Sequence, residues 1–312
     1  MPNANFIKAV EIWVPNAHRT KLTLKTGHYG ELDYFERISR GMQFAYDEGL
    51  PGKCWSSGQP IVLKQLSDSY FRRGDAAMTS ELDCAIAIPT YDGADLRAVM
   101  VFLCGHDGHR IGALELWHAR EGEPQMGLHE GYFGAAEKFE FTSRNTQFSR
   151  KVGLPGLVWD SGMPMIMDDL GRSAQFLRSG SAEKVGINRG VAIPCHARPG
   201  TGSWVVTFLS ARNSPIARGF EIWLPNEATG LFRLAEAYHE EDAEYSEDMP
   251  KRQHPLDVGP LGEARVTRLP VIAQIETGPA ESDEENAPTS TILVMPVLKD
   301  GSVAANLVAY LG

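Results

Sequence analysis

The sequence predicts an α+β protein made of three copies of one unit, each a central antiparallel sheet flanked by short helices. Three observations predict this. Residues 39–66 and 143–170 are identical at 13 of 28 positions, in register, 104 residues apart. The stretch "GLPGKCWSSGQPIVL" opens at Gly49, "GLPGLVWDSGMPMIM" opens at Gly153, and a worn copy, "GPLGEARVTRLPVIA", opens at Gly259. Flanking segments recur as well: "VEIWVPN" near Glu11, "LELWHAR" near Glu115 and "FEIWLPN" near Glu221, with "AIAIP", "GVAIP" and "ILVMP" running to Pro89, Pro194 and Pro296. Local preference does not produce identity at so long a fixed period, so the repeat is read before anything else. The expected domains are 1–110, 111–217 and 218–312.

Within the first unit, "EIWVP" followed by "KLTLKTG" reads as strand, turn, strand, from alternation and β-branched or aromatic bias. Glu31 to Asp47 carries Tyr34, Phe35, Ile38, Met42 and Phe44 at helix-compatible spacing. Gly-Leu-Pro-Gly is expected to break that helix, because proline fixes φ and glycine permits turn conformations. "PIVLKQL" is a short strand and "SYFRRGDAAMTSEL" a short helix. "CAIAIPTYDGADLRAVMVFLCG" is two strands around a turn at Asp92-Gly93, repeated in the second unit as "GVAIPCHARPGTGSWVVTFLSA". The third unit has Arg265 in place of Trp55 and Trp159, and "TGPAESDEENAPTS" in place of the short helix, an acidic Pro-containing stretch that reads as an exposed, mobile loop.

Bulk properties narrow the function. The chain has 312 residues, 43% apolar and 22% charged, with a net charge of −10. No run reaches the roughly 18–20 apolar residues of a membrane helix, and "MPNANFIKAVEIW" has no signal-peptide pattern. The acidic balance and the lack of a basic cluster beyond Arg72-Arg73 argue against a phosphate-backbone partner. A cytoplasmic protein with no nucleic-acid and no membrane partner is expected. Cys54, Cys84, Cys104 and Cys195 form no CxxC pair, so neither a disulfide framework nor a zinc motif is read from them.

The order of elements resembles the GAF domain, a sensory and regulatory fold. The marks are the Gly-Leu-Pro-Gly turn, a Trp, "SGxP", an apolar strand, and a second apolar strand running to Pro. The lead-in Phe35, Ser39, Arg40, Gln43, Phe44, repeated from Phe139, adds to the likeness. The resemblance implies a ligand space between sheet and helices. Its walls would be Phe35, Ser39, Phe44, Trp55, Phe71 and Arg73 in the first unit, and Phe139, Ser143, Phe148, Trp159, Phe176 and Arg178 in the second. Aromatic walls with few polar groups suit a small organic molecule. The long flanking helices of signalling GAF domains have no room here, since the joints "HDGHRIG" and "RNSPIAR" are short.

The expected function is therefore non-enzymatic and regulatory. Its partners are a small-molecule ligand in units 1 and 2 and a protein partner or second copy. The first alternative is a structural or assembly protein whose pockets are collapsed. The second is a thiol enzyme resembling free methionine sulfoxide reductases, but Pro51 stands where that family has its first cysteine, and Cys54 comes three residues late. Cys195-His196 resembles the bilin-attachment pair of phytochrome-type GAF domains, yet it follows directly on Pro194, in a turn. His106, Asp107 and His109 could ligate a metal in a joint, though loop histidines of this kind are more often solvated.

Overall fold

In a computed structural model, residues 6–105, 111–211, 215–239, 252–276 and 289–311 are described. The expected α+β class holds. Three six-stranded antiparallel sheets follow one another along the chain. Unit 1 has β1 (Ile7–Pro15), β2 (Lys21–His28), β3 (Gln43–Ala45), β4 (Ile61–Leu63), β5 (Leu82–Asp92) and β6 (Asp95–Gly105), with α1 (Asp33–Arg40), α2 (Gly49–Ser57) and α3 (Gly74–Thr79). Unit 2 has β7 (Ile111–Ala119), β8 (Gln125–Gly134), β9 (Gln147–Ser149), β10 (Met165–Met167), β11 (Ile187–Cys195) and β12 (Ser203–Ala211), with α4 (Glu137–Arg144), α5 (Gly153–Ser161) and α6 (Ser179–Lys184). Unit 3 has β13 (Gly219–Asn226), β14 (Leu231–His239), β15 (Gln253–Pro255), β16 (Val271–Glu276), β17 (Thr289–Lys299) and β18 (Ser302–Tyr310), with α7 (Gly259–Thr267). The sheet order in unit 1 is β3-β2-β1-β6-β5-β4, and the other two repeat it. Trp13, Trp117 and Trp223 each follow a bulge at the same place, opposite Leu24, Leu128 and Leu234.

Three local expectations are corrected. The helix read over 31–47 ends at Arg40, and Gln43–Ala45 is an edge strand paired with β2. Gly-Leu-Pro-Gly does not break a helix but opens one, because proline in a first turn lacks only an N–H that would be unbonded anyway. The second glycine is needed for close approach: a Cβ at Gly52 or Gly156 would stand 2.2 Å from the Ala45 or Ser149 carbonyl oxygen. Finally, the strands run past Pro89, Pro194 and Pro296 rather than ending there. The acidic stretch 277–288 and the joint holding His106, Asp107 and His109 lie outside the described residues.

Strand alternation gives each sheet two buried faces. On β1, Ala9, Glu11 and Trp13 face the helices of their own unit, while Val10 and Ile12 face a core shared by all three units. That shared core takes Phe102 from unit 1, Phe208 from unit 2 and Leu307 from unit 3, and among the described residues it contains no helix. Three separate cores lie beneath the helices.

The units close into a ring through two sets of seams. Along the sheets, β4 meets β8, β10 meets β14 and β16 meets β2. At the hairpins, each unit reaches the C-terminal end of the GLPG-type helix of a neighbour. Arg198 donates to the carbonyls of Ser56 and Ser57 at the end of α2. Lys299 donates to Ser161 at the end of α5, and Arg97 to Thr267 at the end of α7. Cations suit helix C-termini, where carbonyls are unpaired and the helix dipole is negative. The ring meets itself two residues past each proline. The Tyr91 N–H donates to the His196 carbonyl at 2.8 Å, and the Leu298 N–H donates to His196 Nε2 at 2.9 Å.

Candidate functional site

Beneath the helices of unit 1, β1 places Glu11 on the same face as Trp13, fully buried. A carboxylate there needs donors, since burying an unpaired charge is costly. Glu11 receives four. Trp13 Nε1 donates to Oε2 at 2.9 Å and the Tyr29 hydroxyl donates to Oε1 at 3.0 Å. Arg73 forms a two-pronged pair, with Nη2 to Oε2 at 2.9 Å and Nη1 to Oε1. Arg73 Nη1 also donates to Ser39, whose hydroxyl donates in turn to the Phe35 carbonyl at 2.7 Å. Rings pack round the guanidinium: its Cζ lies 4.6 Å from the Phe35 centroid, 5.0 Å from Phe71, 5.6 Å from Trp13 and 5.9 Å from Phe44.

Unit 2 builds the same centre around Glu115. Trp117 Nε1 donates to Oε2 at 3.0 Å, Arg178 Nη2 donates to Oε2 at 3.0 Å, and Arg178 Nη1 pairs with Oε1. Phe139, Trp117, Phe176 and Phe148 surround the arginine. The Ser143 hydroxyl is 2.9 Å from both Glu115 Oε1 and the Phe139 carbonyl, and its one proton serves one of them at a time. The remaining donor differs. Phe133 replaces Tyr29 and offers no hydroxyl, but Thr207 stands where unit 1 has Val101 and donates to Glu115 Oε2 at 2.7 Å. The bond is kept and its source moves across the sheet.

Unit 3 keeps the carboxylate and changes its partners. Glu221 accepts from Trp223 Nε1 at 2.8 Å, from His239 Nε2 at 3.1 Å and from Arg252 Nη1 at 3.2 Å. His239 occupies the Tyr29 position, and Arg252 comes from the residue before β15. Burial pushes the Glu221 carboxyl up, but the bonds from His239 and Trp223 and the nearby positive charges outweigh it and hold it below its ordinary value.

The structure brings together Phe35, Ser39, Phe44, Phe71 and Arg73 in unit 1, and Phe139, Ser143, Phe148, Phe176 and Arg178 in unit 2. Arg73 and Arg178 fill the space those rings enclose. Trp55 and Trp159 stand apart at the margin of their cores, on short helices whose inward positions are taken by Leu50 and Cys54, and by Leu154 and Val158. Trp55 meets Tyr46 edge-on, and Arg150 covers Trp159. An open cleft of about 420 Å³ lies between α1 and α3, bordered by Tyr34, Ile38, Phe71 and Arg73. The residues that sequence reasoning missed are Glu11, Glu115 and Glu221. Their signal was present, as an acidic residue two places before a tryptophan in all three strands.

As chemistry, the carboxylates of units 1 and 2 are saturated, although the Nε of Arg73 and of Arg178 is buried with no hydrogen-bond partner among the described residues. A carboxylate with about four lone-pair sites that already accepts four hydrogen bonds has none left to act as a base. The thiols are no better placed. Cys54, Cys84 and Cys104 are buried and free, and burial pushes each thiol up, away from the reactive thiolate. The Cys195-His196 pair lies at the junction of the three units, where burial lowers His196 to about 4.

No family model matches the chain, and no curated protein matches it. Solved structures are similar over about a third of it. A GAF domain of A. aeolicus in an inactive state is 20% identical, covering 32% of this chain and 59% of that one, with a TM-score of 0.26. A GAF domain/HD domain protein from Geobacter sulfurreducens is 14% identical, covering 32% and 63%, with a TM-score of 0.27. The GAF domain of a two-component sensor histidine kinase from Bacillus halodurans is 15% identical, covering 32% and 66%, with a TM-score of 0.26. This chain thus spans less than two thirds of each of those chains. Each match covers about the length of one of the three units, which share one sheet order.

Proposed function

We propose that this is a non-enzymatic regulatory protein of three GAF-like units, acting through the surface of a closed ring. In this reading the ligand space of units 1 and 2 is occupied by the chain's own arginines. One observation carries it: Arg73 and Arg178, each at most 2% exposed, are paired to a saturated carboxylate inside the ring of aromatics that would otherwise face a ligand. Displacing either arginine would leave a buried carboxylate uncompensated, a cost few small ligands can offset. The burial of Cys54, Cys84 and Cys104 supports the non-enzymatic half.

The test is native mass spectrometry of the full chain together with thermal-shift screening of nucleotides, amino acids and tetrapyrroles. A bare mass and an unchanged melting temperature are expected. A stoichiometric bound molecule that Phe71→Ala or Phe176→Ala releases would overturn the reading. The cleft beside α1 favours a second reading for unit 1 alone, in which a small ligand rests against Tyr34, Ile38 and Phe71 without entering the arginine centre. Binding lost in Ile38→Arg but kept in Phe176→Ala would select it.

A further inference from the structure

Unit 2 departs from both sister units at one spot. Unit 1 has Val14, Lys25 and Ala98 there, and unit 3 has Leu224, Ala235 and Ala305. Unit 2 has His118, His129 and Trp204. Strand register fixes the equivalence: His118 pairs with Trp204, and His129 follows the Leu128 that pairs with Trp117. A further departure lies alongside. The sister hairpins turn over residues 93–94 and 300–301, whereas β11 and β12 are joined by the longer loop 196–202.

The longer loop organises the three rings. Its Thr201 carbonyl lies 2.8 Å from His118 Nε2 and accepts from Trp204 Nε1 at 3.1 Å. A carbonyl only accepts, so His118 is held as the tautomer whose Nδ1 keeps its lone pair. Gly202 permits the approach: at φ +86°, its missing Cβ would sit 2.4 Å from the Ala119 carbonyl oxygen and 2.7 Å from His118 Nε2. His118 stacks on Trp204 with centroids 4.0 Å apart, and His129 meets Trp204 edge-on at 4.8 Å. Among the described residues, His129 makes ring contacts but no hydrogen bond through either nitrogen. Both imidazoles border an open cleft of about 490 Å³, with Arg120, Glu123, Gln125 and Gln147 on its other walls. Neither sister unit needs such a cluster to fold, so folding alone does not account for it.

The geometry points to a binding site for a divalent transition-metal ion of the imidazole-preferring class, held by His118 and His129 and best suited to Cu²⁺. Two rings sharing an ion at about 2 Å from nitrogen have their centres roughly 4.5 Å apart at a right angle and roughly 6.4 Å apart in line. These two lie 5.9 Å apart, between those limits. Among the described residues no three His, Cys, Asp or Glu side chains converge to hold a metal. That leaves an open two-imidazole set completed by water, which binds Cu²⁺ most strongly among the divalent first-row ions.

The test is titration of Cu²⁺ into the full chain after chelator treatment, followed by tryptophan emission and electron paramagnetic resonance. One equivalent is expected to bind, to quench emission and to show hyperfine coupling to imidazole nitrogen. His129→Ala, at an exposed side chain, should weaken binding about tenfold or more with the melting temperature unchanged. Trp204→Phe should keep the binding and lose most of the quenching. Unchanged affinity in His129→Ala overturns the proposal. So do several weak equivalents, which mark an adventitious ion only, and so does binding that His106→Ala with His109→Ala abolishes instead.

Discussion

Units 1 and 2 hold their buried carboxylate with an arginine sealed beneath the helices, whereas unit 3 holds the same carboxylate with a histidine and an arginine from other elements. The arginine side chains of the first two are 0% and 1% exposed, and Arg252 is 46% exposed. The difference shows which part of the centre the sheet demands. The Glu-x-Trp strand brings the carboxylate inside in every unit, and any donor within reach then satisfies it. What varies is how tightly the helices are pinned to the sheet, because Arg73 and Arg178 tie the segment before α3 or α6 to the opposite strand and Arg252 does not.

The sharpest way to break this comparison is Arg178→Met. It strands Glu115 in the core and should cost about 3–5 kcal/mol in chemical denaturation. Adding Glu115→Leu should recover most of that loss, because a buried pair replaced as a whole is often tolerated. A cost near zero for Arg178→Met would show that the centre is not closed.

Next in size is the acid response of the junction that binds unit 3 to the others. His196 is lowered to about 4 from 6.5 by burial, and its Nε2 must stay unprotonated to accept from Leu298. The unfolded chain therefore takes up the proton more readily than the folded one. This stabilisation is complete above pH 6.5 and is lost as pH falls from 6.5 toward 4, on the order of 3 kcal/mol in all. Denaturation midpoints at pH 7 and pH 4.5 should converge in His196→Gln, whose amide oxygen can still accept that N–H.

A smaller effect sharpens the contrast between units 1 and 2. Tyr29→Phe removes one hydrogen bond to a buried carboxylate and should cost about 1.5–3 kcal/mol. Tyr29→Phe with Val101→Thr rebuilds the arrangement of unit 2 within unit 1 and should return most of it. If the double variant is no better than the single, the two positions are not alternative sources of the same bond. Smallest of all is Arg252→Met in unit 3, expected at under about 1 kcal/mol because that side chain is half in water. Equal losses for Arg252→Met and Arg178→Met would erase the distinction between the centres.

Much of this fold was legible in the sequence because repetition is a global signal. The matched strands and the α+β class follow from the repeat and its spacing, and the aromatic sets around Phe35 and Phe139 from the resemblance to GAF domains. Local detail was harder. Gly-Leu-Pro-Gly carries turn residues, and nothing local says that Pro51 stands in a first helical turn while Gly52 presses on the Ala45 carbonyl. Trp55 is a wall residue only through the family resemblance, and its direction depends on a helix that the turn residues do not announce. Glu11 was visible and passed over, since a single acid on a strand usually faces water. Its alternation with Val10 and Ile12 decides the matter only once both faces of the sheet are known to be covered. The seams were not legible at all. Arg198, Lys299 and Arg97 stand at different places in their hairpins, so the repeat does not align them, although each reaches the end of the same helix in a neighbour.

Those seams carry a consequence for growth. A head-to-tail contact between like parts either closes or propagates, and identical subunits using such a surface risk endless polymerisation when the rotation does not close. Here donor and acceptor surfaces are matched three times within one covalent strand, so every socket is already occupied by a plug from the same molecule. A further copy would find these three described contacts already made.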